Sequence, residues 1–258
     1  MGLKLLATLG VATALATPAG YVQTQQRDDG GFGDPQLTAW ATLGLVAAGA
    51  STGGAAEYLA RQEPESATDA ALVAMARAAA GDHPAELMPR LRAHRPGKLV
   101  NATIWTILAL RQAGEPAPRP FVQALLSAQR PSGGWSWLAG AAADANDTAA
   151  ALQALRAAGV GGMPIDRGVA FLRRHQNRDG GFELTLGRGS DTQSTAWAIQ
   201  GLLAAASAPG APAFRYLARM RRNDGSYRYS ARYVTTPLWV TAQVLPALAR
   251  KPFPLASG

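Results

Sequence analysis

The sequence has no cysteine among its 258 residues. That excludes disulfide frameworks, thiolate metal sites, cysteine nucleophiles and thioesters together. Histidine is nearly as scarce. His83, His94 and His175 each lie beside charged or turn residues, without the spacing of a metal site, so no metal or other cofactor is expected. Acidic residues are few, 17 against 25 basic ones, which leaves a net charge of +8. The basic surplus is scattered over helix faces, as in "FLRRHQNR" and "YLARMRRN", with no long Lys/Arg block. Scattered charge of this kind reads as a solvated surface, so no nucleic-acid partner is expected, while attraction to an anionic membrane stays open. Long apolar runs are missing too. The best is "MGLKLLATLGVATALATPAG", with one early lysine, an apolar stretch from Leu5 to Leu15 and small residues at Ala14 and Ala16. It is too short for a membrane span and fits a signal peptide over residues 1–16, which predicts a secreted or cell-envelope protein. An ordinary first helix is the alternative.

What is present is repetition. Hydrophobic residues make up 48% of the chain, ample for the core of one good-sized domain. The segments "QQRDDGGF", "QRPSGGW", "QNRDGGF" and "RRNDGSY" each join the polar end of a helix to a turn, glycine and an aromatic. An amphipathic helix carrying arginines precedes each one. A more hydrophobic helix follows, as in "LTAWATLGLVAAGA", "DTAAALQALRAAG", "STAWAIQGLLAAA" and "TTPLWVTAQVLPAL". Two degenerate copies, within residues 57–81 and 91–114, keep both helices and lose the turn. The unit recurs at roughly 33–47 residues, giving about six helix pairs. A helix apolar nearly all round should be buried, and an amphipathic one should cover it. The pattern predicts an all-α fold, an (α/α)6 toroid of two concentric rings over residues 17–250, followed by a Pro-containing tail at 251–258. An open solenoid of helix hairpins is the alternative.

The segment "RGVAFLRRHQNRDGGF" (Arg167–Phe182) resembles the QW motif of the squalene-hopene and oxidosqualene cyclase family, with Phe182 in place of the closing tryptophan. That family shares its toroid with the protein prenyltransferase β-subunits, so the resemblance implies the closed double ring. It implies activity less directly, because one fold hosts many functions. The prenyltransferase zinc site includes a cysteine this chain lacks. The cobalamin carriers and the complement thioester domain also resemble this architecture, and the latter's thioester needs a cysteine as well. Class II terpene cyclases of the family protonate an alkene or epoxide from the middle acid of a DxDD element followed by Thr-Ala. Asp144-Ala145-Asn146-Asp147-Thr148-Ala149 resembles that element, with Asn146 at the middle position. Complete hopene cyclases have two toroids, and this chain has residues for one.

From the residues alone, Asp144, Asn146 and Asp147 suit a helix start, where Asp and Asn cap and carboxylates meet the macrodipole. If the helix begins by Asp144, then Asp144 and Asp147 are also neighbours at i,i+3. Two close carboxylates would push one pKa up, making Asp147 a weak proton donor beside Asn146. Trp40, Trp105, Trp197 and Trp239 occupy matching places near the starts of the second helices. They fill the core between the rings or line a cavity with cation-stabilising faces, Trp197 and Trp239 being the better cavity candidates. Asp191 and Gln193, in the next helix entry, line the same mouth or merely cap. Tyr229 and Tyr233 lie in "SYRYSARYVTTP", a recognition patch or a long basic loop. Two functions follow. One is an exported toroid binding an apolar, isoprenoid-like or peptide ligand with little or no catalysis, with a peripheral membrane or protein partner possible. The other is a class II cyclase-type isomerase using Asp147 or Asp144. The first is preferred, because the middle aspartate and a second toroid are absent.

Overall fold

A computed structural model describes residues 16–255. The expected leader therefore lies outside the described residues, apart from Ala16. Among the described residues, twelve helices alternate between an outer and an inner ring. The outer helices are α1 (Pro18–Thr24), α3 (Ala55–Ala60), α5 (Met88–Ala93), α7 (Arg119–Ser127), α9 (Met163–Arg174) and α11 (Ala211–Met220). The inner ones are α2 (Pro35–Ala47), α4 (Ala67–Ala79), α6 (Val100–Gln112), α8 (Ala145–Ala157), α10 (Thr192–Ala204) and α12 (Pro237–Leu248). Each inner helix packs on the next, and α12 returns to α2, so the ring is closed and the open solenoid is not formed. No helix of the described residues is long and apolar enough to cross a membrane.

The outer helices bury one stripe; α9 buries Ile165, Gly168, Phe171 and Leu172 and leaves its arginines outside. The inner helices are buried nearly all round, and small residues let them approach. A Cβ at Gly44 of α2 would sit 2.4 Å from the Ala242 carbonyl oxygen of α12, and one at Gly201 of α10 would sit 2.7 Å from Cα of Ala149 in α8.

The repeated turn ties each pair to the next. Gly133, at φ +93°, lies so close to α9 that a Cβ there would be 2.6 Å from the Arg167 carbonyl oxygen. The amide of Gln129 donates to the carbonyls of Gly133, in its own turn, and Pro164, in the next outer helix, at 2.8 Å each. Gln26 does the same to Gly30 and Thr52. The backbone N–H of each closing aromatic (Phe32, Trp135, Phe182, Tyr227) donates at 2.9 Å to a threonine hydroxyl in the following inner helix, at Thr38, Thr148, Thr195 and Thr241. In the sixth turn, a Cβ at Gly225 would be 2.5 Å from the Thr17 carbonyl oxygen at the start of α1, so the last repeat meets the first.

All six inner helices begin at one face of the ring, called the mouth here. The loop leading into one inner helix there finishes the start of the helix before it. Val100 N–H of α6 donates to the Trp137 carbonyl, Ala145 N–H of α8 to Leu184, and Thr192 N–H of α10 to Tyr229. These first N–H groups have no partner within their own helices.

The axis is filled with aromatic rings. Trp40, Trp105 and Trp197 are each the sixth residue of an inner helix. Their centroids are 5.3 Å (Trp40–Trp105), 5.5 Å (Trp40–Trp197) and 5.7 Å (Trp105–Trp197) apart, all edge to face. From the far end, the segment after Arg250 enters the ring. Phe253 lies 6.3 Å from Trp40 and 6.2 Å from Trp197. Its backbone N–H donates to Gln153 Oε1 at 2.7 Å. Gln112 then holds Leu255 on both sides, accepting from its N–H at 2.7 Å and donating to its carbonyl at 2.9 Å.

Candidate functional site

Asp144 is the N-cap of α8, and its Oδ1 accepts from the Asp147 N–H at 2.9 Å. The cap turns the two carboxyl groups toward each other. Burial pushes the Asp147 pKa up to about 8, and the Asp144 charge and the hydrogen bond between the side chains add to it; a hydrogen bond from the Trp137 backbone pulls the other way. Asp147 thus keeps its proton near neutral pH and donates it in a hydrogen bond to Asp144. Between them in sequence, half-buried Asn146 has its Oδ1 shielded from solvent without a hydrogen-bond partner. An unmet buried acceptor costs about 1–3 kcal/mol.

The threonines that accept from the turn aromatics give a register for the ring. Two residues beyond them lie Trp40, Ala150, Trp197 and Gln243, one layer down the axis. Two residues before them, on the same helix face one turn nearer the mouth, lie Gln36, Asn146, Gln193 and Trp239. Trp239 therefore does not match the other tryptophans, as its sequence neighbourhood suggests; it sits one turn higher, edge-on to Trp40 at 6.4 Å. Gln243 takes its place in the lower layer. The Gln243 Oε1 accepts from Trp197 Nε1 at 3.1 Å and from Gln193 Nε2 at 2.8 Å, joining two predicted residues through one that was missed. Trp197 is buried against Trp40, Trp105 and Phe253, whereas Trp105 and Trp239 remain partly open.

Asp191 is the N-cap of α10. Its Oδ1 accepts from Ser194 N–H at 2.7 Å and its Oδ2 from the Ser194 hydroxyl at 2.8 Å. Burial raises its pKa, and the Ser194 bonds and Arg188 oppose the rise. Burial likewise raises the pKa of Tyr229, and the nearby Asp191 charge raises it further. Asp191, Tyr229 and Tyr233 meet in a cleft of about 590 Å³ between residues 187–191 and 229–233, where Arg188 and Arg232 supply positive charge. The structure thus groups the candidates as the acid pair with Asn146, the Gln243-linked pair on the axis, and this cleft. Gln243 carried a usable signal, its place two residues after a turn-accepting threonine. Phe253 carried none, because its partner Gln153 is 100 residues away.

No protein-family model matches the sequence, and no curated protein matches it. Solved structures do. A type II terpene cyclase from Scytonema, MstE, superposes with a TM-score of 0.67 at 16% identity over 90% of this chain and 95% of that one. A protein from Actinoplanes gives 0.68 at 20% identity over 90% and 97%. An ent-copalyl diphosphate synthase from Streptomyces platensis gives 0.57 at 20% identity, and this chain spans 50% of its length. The chain shares its fold, a closed α/α toroid, with these terpene cyclases. The match takes in nearly the whole of MstE, so that cyclase is one toroid of this size.

Proposed function

We propose that the protein binds an isoprenoid-like ligand with a hydroxyl head at the mouth of the ring, with little or no catalysis. The filled axis carries this reading. Three tryptophans and Phe253 occupy the space that a long polyprenyl chain would need in order to fold. One turn nearer the mouth, the partly open Trp239 offers an apolar face, and a rotation of the Asn146 side chain would present an amide oxygen that has no internal partner. MstE, with the same fold, is described in complex with the substrate geranylgeranyl dihydroxybenzoate, which supports an isoprenoid ligand. Titrating geranylgeraniol while following tryptophan emission tests the reading. Saturable binding, weakened roughly tenfold by Asn146→Leu, is expected. No saturable change would overturn it.

A second reading has its own support. Asp147 holds a proton near neutral pH, as a general acid for alkene protonation requires. Incubation with polyprenyl substrates and gas chromatography–mass spectrometry separates the two. Wild-type turnover abolished by Asp147→Asn would establish a cyclase. No wild-type turnover, with activity gained in Asn146→Asp, supports the binder. Export through residues 1–16 is part of the proposal, and a mature N-terminus at Thr17 in the native host is the expected finding.

A further inference from the structure

Five large apolar side chains stand out from the mouth loops: Leu99 (49% exposed), Trp137 (49%), Leu186 (66%), Tyr233 (59%) and Val234 (43%). They come from four consecutive inner-helix entries, those of α6, α8, α10 and α12, and the loops carrying them touch. Ala139 N–H donates to the Lys98 carbonyl at 2.7 Å, Ala145 N–H to Leu184 at 3.0 Å, and residues 187–191 face 229–233 across the cleft. The result is one continuous rim over the α6–α12 sector. Apolar residues exposed together in this way mark an interaction surface. Basic residues are set among them, with Lys98, Arg188 and Arg232 all exposed. The opposite sector, at the α2 and α4 entries, carries Asp34, Glu63 and Glu65, with Arg61 and Arg90 beside the glutamates, and has no comparable cluster of exposed apolar side chains among the described residues.

We propose that this rim docks on an anionic phospholipid bilayer. Trp and Tyr favour headgroup depth, and leucine and valine tips reach the acyl boundary beside them. Each exposed Lys or Arg near such a surface adds favourable attraction to the lipid phosphates. The exposed apolar tips lie on one sector, so the ring tilts and meets the membrane along the α6–α12 side. The net charge of +8 has the sign this partner requires. A second copy of the chain would instead set like charges of the two rims against each other. The proposal stands apart from the ligand reading, because plain phospholipid vesicles contain no isoprenoid.

The test is flotation of the purified full chain with phosphatidylcholine vesicles, with and without phosphatidylglycerol. Binding is expected only with phosphatidylglycerol, with Trp137 emission moving to shorter wavelength. Leu186→Ser/Tyr233→Ser and Arg188→Gln/Arg232→Gln should each weaken partitioning roughly tenfold. Met163→Ser, which changes an exposed apolar residue at the other end of the ring (72%), should not. Near-ultraviolet circular dichroism confirms that each variant is folded. No wild-type binding, or equal binding by the rim variants, overturns the proposal. So does a concentration-dependent dimer that ignores vesicles and is lost in the Leu186→Ser/Tyr233→Ser variant.

Discussion

Replacing Asp147 by asparagine should make the protein more stable at high pH and change little at low pH. The folded state holds the Asp147 proton up to about 8, whereas an unfolded aspartate releases its proton near 3.8. Between those values the folded chain binds one more proton than the unfolded chain, so stability falls as pH rises. The loss is about 1.4 kcal/mol per pH unit, or about 4 kcal/mol from about pH 5 to about pH 8. Asparagine removes the titration, and its amide can donate to Asp144 as the protonated acid does. Wild type and variant should therefore agree within about 1 kcal/mol near pH 5, and the variant should be ahead by about 3 kcal/mol near pH 8. Urea unfolding followed by tryptophan fluorescence across that range measures both. The raised Asp191 is present in each protein and cancels in the difference. Parallel curves would refute the retained proton on Asp147.

Three further outcomes test the packing. Phe253→Ala should cost about 3–5 kcal/mol, a fall in Tm of about 6–10 °C for a chain of this size, and a shift under about 2 °C would show that the axis does not depend on the tail. Gln243→Leu leaves the Trp197 N–H and the Gln193 amide without their shared acceptor and should cost about 1–3 kcal/mol, with Trp197→Phe recovering part of it in a double-mutant cycle. Gly201→Val should cost about 1–3 kcal/mol or more, read from chemical denaturation, because its side chain would collide with the α8 backbone at Ala149.

The double ring was legible because its signal repeats. Buried second helices, covering first helices and glycine turns recur with enough fidelity that the structure differs mainly in how short α3 and α5 are, at six residues each. The acid pair was legible because an N-cap followed by i,i+3 spacing fixes both carboxyl groups locally. The axis was not. Aligning α12 on its visible tryptophan places Trp239 one turn too low; aligning it on Thr241, which accepts from the turn aromatic, places Gln243 there instead. The tail was hidden for a different reason. "RKPFPLASG" has no periodicity, and its anchors at Gln112 and Gln153 come from helices far back in the chain.

The mouth loops carry a consequence for how the molecule forms. The first N–H of α6, α8 and α10 is satisfied only by a carbonyl from the following repeat. α2 and α12 begin with proline and have no such N–H to satisfy. A growing array of hairpins would carry an unfinished helix end at its leading edge until the next repeat arrived. Gly225 against Thr17 then joins the two ends of the series. The ring should consequently fold as one cooperative unit, and a chain cut between repeats should lose more than the repeats removed.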